Sequence, residues 1–543
     1  MALPPVSDLA THAVENQPRP RGDLDLWADD PALGDAFAGT ADAAALAALG
    51  AVLGRAGTRA LGRAANRHPP ELDVFDRAGR RRDEVAFHPA YHRLMALGLE
   101  AGYAARPWEA APDGHRAHAA MVYLFSQVEP GVCCPMTMTY AAIPALAADP
   151  ALAARWVPKL TARAHDPSVA PLSAKAGATM GMAMTEKQGG SDVRANSTRA
   201  EPNGDGWRLT GHKWFCSAPM SDGFLTLAQA PEGLTCFLVP RWLEDGTRNP
   251  LRLMRLKDKL GNRANASAEI EYDATFAHRL GEAGAGVRTI IEMVTHTRLD
   301  TAIAPAGLMR AALGEAHAWA SGRTAFQRRL IDQPLMRAVL ADLALDWEGA
   351  LALGLRVAAA FDAAAGEHDR ALARPAVALA KFLANKRAPG VIAEAMEALG
   401  GMGYVEDTPL PLLYREAPLN GIWEGAGNVI CLDLLRTLAR APGAEAALQA
   451  ELDAARGADG RYDAALADHR ARWPHLPEEG EARWFAERLA VLLTASVLLR
   501  AAPAAVSDGY VATRVAGTRG AVAGAVSGLD TRGILARLDP GAG

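Results

Sequence analysis

The feature that most constrains this chain is a change of hydrophobic period near residue 180 and its reversal near 280. Segments such as ADAAALAALGAVLGRAGTRALGRAAN and YHRLMALGLEAGYAA place apolar residues three and four apart, the spacing of one helix face. Between 181 and 280 the pattern gives way to GWRLTGHKWFCSAP, GFLTLAQA, LTCFLVPRWL and ASAEIEYDATF. These short runs, separated by Gly, Pro, Asp and Asn, predict strands. Helical spacing returns with THTRLDTAIAPAGLMRAALGEAHAWASGR, interrupted mainly at Gly400-Gly401-Met402-Gly403. It continues to the end, broken by WPHLPEEG at 473–480 and closing on DPGAG. The expected fold is therefore mostly α with a small central antiparallel β domain. Its parts are an N-terminal arm and helical domain (1–180), a sheet domain (181–280), a second helical domain (281–440) and an appended helical segment (441–543). Within the first part, the Pro- and Asp-rich residues 1–40 read as an extended arm. RHPPELDVFDRAGRRRDEVAFHP reads as a loop whose Arg80, Arg81 and Arg82 either touch an anion or sit in a solvated turn.

Composition narrows the function classes. Of 543 residues half are hydrophobic and 22% are charged, ample material for a large core. The net charge of −5 gives no overall basic footprint for nucleic acid, so any such surface has to be local. Cys133, Cys134, Cys216, Cys236 and Cys431 are odd in number and lack CxxC spacing, which argues against a disulfide framework and a structural zinc site. We expect no metal. The N-terminus has neither a positively charged start nor an apolar core, and no run reaches membrane-spanning length. The expectation is a soluble, cytoplasmic protein.

Two stretches carry chemistry on their residues alone. In YREAPLNGIWEGAGNVI (414–430), Glu424 stands between Trp423 and Gly425. An acid shielded by an aromatic has a raised pKa and is a better proton acceptor, while the glycines allow close backbone approach to a flat ligand. The same residues also suit an ordinary surface glutamate before a helix. In GMAMTEKQGGSDVRAN (181–196), Met182, Met184 and Thr185 alternate as on a strand end, and Gly189-Gly190-Ser191-Asp192 makes a tight turn. That turn suits a phosphate or a heterocycle without specifying either. No Gly run completes GxGxxG after a strand, which disfavours a Rossmann dinucleotide site.

Taken together, and with GHKWFCSAP (211–219) and EALGGMGYVEDTPLPLLYRE (397–416), these blocks resemble the acyl-CoA dehydrogenase superfamily. The resemblance implies FAD and α,β-dehydrogenation of an acyl thioester, with Glu424 removing the α-proton. It places Met182, Met184, Thr185, Gly190 and Ser191 against the flavin, with Ser191 also near the acyl-CoA. Phe215, Cys216 and Ser217 stand where the family usually has Trp, Ile and Thr. There Ser217 is expected to reach flavin N5 and Phe215 to supply an aromatic wall. Trp423, Ala426 and Asn428 complete the near side. From a neighbouring subunit the resemblance brings Arg323 and Phe326, with Gln327 replacing a glycine, and Glu397 and Gly401, with Leu412 replacing a basic residue. Some relatives carry the base beside the arginine matching Arg298. Here that neighbour is Thr297, so the base stays at Glu424 and Arg298 is assigned to the substrate.

VENQPRP, HPPELDVFD, FHPAYHRLM, CPMTMTYAA, LKDKLGNR and NGIWEGAGN extend the likeness to the AidB-like flavoproteins of the bacterial response to alkylating agents. That branch implies a homotetramer that binds double-stranded DNA through its C-terminal domain, with at most weak dehydrogenase activity. The residues themselves give this little support. Positions 441–543 hold 11 Arg, no Lys and 13 acidic residues, so only a local surplus is available. The candidates are Arg436, Arg440, Arg514, Arg519, Arg532 and Arg537, which either meet phosphate or lie on solvated helix faces. Two functions stand: a DNA-associated flavoprotein that protects DNA or inactivates alkylating agents, and a metabolic acyl-CoA dehydrogenase whose extra segment builds the oligomer.

Overall fold

The computed structural model describes residues 5–109, 112–204, 206–362 and 364–539, so the last four residues of the closing DPGAG lie outside it. Its axis is a 37-residue helix, Gly286–Gly322, whose buried face runs through Leu299, Ala302, Ile303, Ala306, Leu308 and Leu313. Small residues let neighbouring helices approach closely. At Gly307 an added Cβ would lie 2.4 Å from the Tyr123 carbonyl oxygen, so only glycine lets the helix Gly114–Ser126 pack there. Around this axis stand Cys133–Leu146, Pro334–Ala359 and Glu367–Ala398, then Gly427–Arg440 and the C-terminal helices Ala444–Asp453, Gly460–Arg472 and Ala482–Ala501. Side-chain caps fix several starts; Asp149 accepts from the Ala151 and Leu152 amides at 3.0 Å ahead of Pro150–Leu160.

The sheet domain is seven-stranded. In spatial order it runs Met180–Ala183, Gly223–Ala230, Arg199–Asn203, Gly206–Ser217, Ser267–Leu280 and Gly233–Pro240, with Leu251–Leu256 also on Ser267–Leu280. Most pairs are antiparallel, as expected. Two pairings differ: the edge strand Met180–Ala183 enters parallel to Gly223–Ala230, Met182 opposite Leu225, and Arg199–Asn203 meets the same strand in parallel at Arg199 and Gln229. Helices, sheet, helices and an appended helical region follow in the expected order.

Two local expectations change. The stretch read as a loop after His68 is a hairpin, Glu71–Phe75 with Arg81–Ala86, turned by Asp76, whose carboxylate accepts from the Ala78 and Arg80 amides at 2.8 and 2.9 Å. The three arginines do not form an anion site there. Arg80 pairs with Asp76, Arg81 with Asp83, and Arg82 with Asp73 and Glu84. The arm is not extended throughout, because Pro31–Ala36 forms a helix capped by Asp30. All five cysteines are free and buried. Among the described residues no helix is long and apolar enough to cross a membrane, and no group of His, Cys, Asp or Glu is arranged to hold a metal ion.

Candidate active site

The loop between Asn420 and Ala426 joins a short turn to the helix Gly427–Arg440. Glu424 adopts φ +57° and Gly425 φ +101°. The left-handed region is natural for Gly425 and costly for a glutamate, so something has to hold Glu424 there. The long helix supplies two holds on adjacent residues. Thr297 donates its hydroxyl to Glu424 Oε2 at 2.7 Å, and Arg298 Nε donates to the Glu424 carbonyl at 3.0 Å. Arg298 is itself anchored by Nη1 on Asp433 Oδ2 at 2.7 Å, and Arg374 reaches the other oxygen of Asp433 at 2.9 Å. From Glu367–Ala398, Lys381 Nζ donates to the Asn420 and Gly425 carbonyls at 2.9 and 2.8 Å. Trp423 Nε1 closes the loop on Asn420 Oδ1 at 2.8 Å.

The electrostatics suit a base. Burial pushes the Glu424 carboxyl above its ordinary range, while the Thr297 hydroxyl, Arg298 and Lys381 pull the other way. Burial also brings Lys381 down to about 7, with Glu424 opposing. Burial works against the charge of Asp433 as well, yet Arg298 and Arg374 together hold its carboxyl below the usual range.

The sheet brings a flat wall to this loop. In Gly206–Ser217 the pairing with Ser267–Leu280 slips between Lys213 and Cys216. The slip leaves Phe215 46% exposed on one face and turns the Cys216 thiol fully into the sheet core. Cys216 was expected at the flavin; the two-residue alternation of a strand leaves only its backbone for that role. Ser217 lies 3.2 Å from the Ser267 hydroxyl and against the Cys134 thiol, the same thiol that feels the charge of Glu424. The first turn of Cys133–Leu146 therefore marks where wall and base meet. Met182, Met184 and Thr185 are half-buried beside it, and the Trp214 amide donates to the Thr185 carbonyl at 2.7 Å. At Gly190 an added Cβ would come 3.0 Å from Thr185 Cγ2, a space that a side chain would fill. Gly190 and Ser191 are exposed, as are Ala426 and Asn428. An exposed aromatic face, hydroxyls at Thr185 and Ser217 and an open edge strand suit the isoalloxazine and ribityl groups of FAD, which need stacking and rim hydrogen bonds.

Other expected residues are not brought here. Arg323 and Phe326 lie past the far end of the long helix, about 39 Å from Thr297 at helical rise. Arg323 donates to the Asn16 carbonyl, and Phe326 stands 91% exposed. Glu397 and Gly401 are exposed at the end of Glu367–Ala398, about 24 Å along it from Lys381. Arg298 was assigned to the substrate; it is buried, with Nε on the Glu424 carbonyl and Nη1 on Asp433.

The arginines proposed for DNA divide. The Arg514 side chain is withdrawn from solvent, 1% exposed and clasped by Asp342 and Asp346. Arg519 reaches Asp342 at 3.4 Å, and Arg537 spans Glu348 and Asp35 at 2.9 and 2.8 Å. These three are committed to seating the C-terminal segment on Pro334–Ala359 and do not form the expected phosphate surface. Arg436, Arg440 and Arg532 are exposed, with no carboxylate at ion-pair distance among the described residues.

Sequence reasoning missed Thr297 and Lys381. Thr297 was noted only as the absence of another base. The signal for Lys381 was a lone lysine inside the apolar run AVALAKFLA.

Comparison with known proteins identifies the family. Residues 16–167 match the model of the adaptive response protein AidB N-terminal domain, 181–275 that of the acyl-CoA dehydrogenase middle domain and 284–439 that of its C-terminal domain. The Escherichia coli (strain K12) protein described as an acyl-CoA dehydrogenase, AidB, is 46% identical over 84% of this chain and 86% of its own. Among solved structures, Caenorhabditis elegans ACDH-11 in complex with C11-CoA superposes with TM-score 0.82 at 28% identity, over 95% of this chain and 96% of that one. The apo form of Bd2924 gives 0.81 at 29% identity, over 92% of this chain and all of that one.

Proposed function

This chain belongs to the acyl-CoA dehydrogenase family, in its AidB branch, and is an FAD-dependent oxidoreductase of that type; from that premise we propose that Glu424 is the base that removes the α-proton of an acyl thioester. One observation carries the assignment. Glu424 is held by its backbone carbonyl and one carboxylate oxygen, which leaves Oε1 without a hydrogen-bond partner among the described residues. The residues that would hold FAD are Thr185, Phe215 and Ser217, with backbone from Met182, Met184 and Cys216. When bound, FAD supplies the acceptor for the hydride leaving Cβ. The chain's own work is to deprotonate, orient and exclude water. Thr297 fixes the rotamer of the carboxylate, and burial raises its basicity. Trp423 and the Phe215 wall shield the slot.

Arg323, Phe326, Glu397 and Gly401 stand far from this slot in one chain. That separation supports a homotetramer in which a neighbouring copy brings them to the cofactor. We extend the proposal to duplex DNA, bound without base preference, with the flavoprotein protecting it or inactivating alkylating agents beside it. Arg436, Arg440 and Arg532, exposed and without a carboxylate partner among the described residues, support this extension. The internal pairing of Arg514, Arg519 and Arg537 favours the second reading, a metabolic dehydrogenase of a short or branched acyl-CoA whose C-terminal segment only builds the oligomer.

Two measurements on the full-length protein separate the readings. Duplex binding is measured across salt concentrations, and flavin bleaching is followed on anaerobic mixing with butyryl-CoA. Steeply salt-sensitive binding with slow bleaching supports the DNA-associated flavoprotein. Fast bleaching without binding at low salt supports the metabolic enzyme, and bleaching unchanged in Glu424→Gln removes the base assignment. Truncation before the C-terminal segment is a poor test, because it would strip the buried Asp342 and Asp346 of Arg514.

A further inference from the structure

We propose that Lys381 is the positioning residue for the base: it clamps the two carbonyls that bracket the loop and sets the charge environment in which Glu424 ionises. The proposal rests on the reading of Glu424 as base. Lys381 is 2% exposed, and among the described residues no carboxylate lies within ion-pair distance of it. A buried ammonium without a counter-ion is costly, so its retention inside an apolar helix face asks for a return. The return is geometric. Nζ takes the Asn420 carbonyl at 2.9 Å and the Gly425 carbonyl at 2.8 Å, at the two ends of the loop. Arg298 takes the carbonyl between them, that of Glu424, at 3.0 Å. Three carbonyls are thus turned inward onto two cations. Glu424 consequently adopts φ +57°, and its side chain lies over Thr297. Gly425, at φ +101°, lets the chain leave the clamp.

The charged and titratable neighbours are few. The long helix presents Thr297 and Arg298, and Glu367–Ala398 presents Lys381 with Lys386 nearby. Cys133–Leu146 presents Cys134, whose thiol burial pushes up to about 12, so it stays neutral. Gly427–Arg440 presents Asp433, whose charge is met by Arg298 and Arg374. Lys381 is therefore the cation whose loss changes the field at the carboxylate without breaking another ion pair. Below about pH 7 it is protonated and favours ionised Glu424; above that it is increasingly neutral and the help fades.

The test uses the full-length flavoprotein, with Lys381→Gln and Lys381→Met beside wild type and Glu424→Gln. The probe is acetoacetyl-CoA, whose acidic α-proton a base can take without oxidation of the thioester. Its deprotonation is followed against pH by long-wavelength charge-transfer absorbance. Loss of the cation is expected to raise the deprotonation midpoint by about one pH unit in both lysine variants. A second readout needs neither thioester nor flavin: hydrogen exchange of the amides of residues 421–426. Exchange is expected to quicken about tenfold or more in Lys381→Met and less in Lys381→Gln, which keeps a donor. Midpoints and exchange rates equal to wild type in both variants would overturn the proposal. Should Lys381→Met lose its helical signal, Lys381→Gln decides alone. Deprotonation persisting in Glu424→Gln would instead remove the base assignment and leave the clamp to the exchange measurement.

Discussion

The loop around Glu424 and the C-terminal segment both depend on buried or half-buried cations, and they use them in opposite ways. In the loop, Lys381 and the Nε of Arg298 are aimed at backbone carbonyls, and the ion pair of Arg298 goes to Asp433, so Glu424 keeps its capacity to accept a proton. In the C-terminal segment the cations meet carboxylates. Arg514 sits between Asp342 and Asp346, Arg537 on Glu348, and Arg356 and Arg500 converge on Glu451. A cation on a carbonyl shapes a site; a cation on a carboxylate holds two elements together and leaves little charge for a ligand. The difference explains why one glutamate outweighs a whole set of arginines in locating function.

The largest expected effect tests the first half of that contrast. Glu424→Gln should slow flavin bleaching by an acyl-CoA about 1000-fold, the usual scale for a removed general base, while duplex binding stays as in wild type. A rate within about tenfold of wild type would break the contrast, because the loop would then be a structural turn like any other.

Arg514→Ala tests the second half. It leaves Asp342 and Asp346 buried without their cation and should destabilise the fold by about 3 kcal/mol, read from the denaturant midpoint at unchanged slope. The salt dependence of DNA binding should not move. Unchanged stability with a shallower salt dependence would return Arg514 to a phosphate surface.

Acid sharpens the same point. Although burial opposes its charge, Glu451 is held at about 2, against an ordinary 4.5, by Arg356 and Arg500. Its folded pKa is depressed, so its stabilisation is present above the ordinary value and is lost as pH falls from there through about 2. The stability margin of wild type over Glu451→Gln should therefore be full near pH 6 and shrink markedly by about pH 3, measured as the difference in thermal midpoints. A margin independent of pH would mean that folding does not shift the carboxyl from its ordinary value.

What the sequence made legible follows from range. The order of helices and strands is written in local periodicity, and the motif around Glu424 is a contiguous run, so both could be read. The loop's supports come from residues 297, 298, 381 and 433; the apolar run around Lys381 hints that it is buried, but nothing local announces which carbonyls it meets. The strand slip between Lys213 and Cys216 is equally silent in sequence, so burial of the Cys216 thiol in the sheet core could not be read from it. The hairpin after His68 was lost because Pro69, Pro70 and three arginines masked a short alternation at Leu72, Val74 and Val85. Arginine counts misled for the same reason: Asp342, Asp346 and Glu348 precede Arg514 and Arg537 by well over a hundred residues.

The smallest expected effect concerns the arginines left free. Arg436, Arg440 and Arg532 are exposed, and none meets a carboxylate among the described residues, so replacing them removes charge without unpairing anything. Each change to Ala should leave the denaturant midpoint within about 0.5 kcal/mol of wild type. If each arginine meets one phosphate, each change should also lower the slope of log affinity against log salt by about one. Arg436 and Arg440 share the helix that begins just after the Glu424 loop, at i and i+4 on one face, so their effects are expected together. Arg532 lies on the separate helix Thr531–Leu535 and serves as the independent check. A slope that falls with all three, while Arg519→Ala and Arg537→Ala change stability instead, would place the nucleic-acid surface on the free cations. A slope that none of them moves would leave the C-terminal segment with the stapling role alone and favour the metabolic reading.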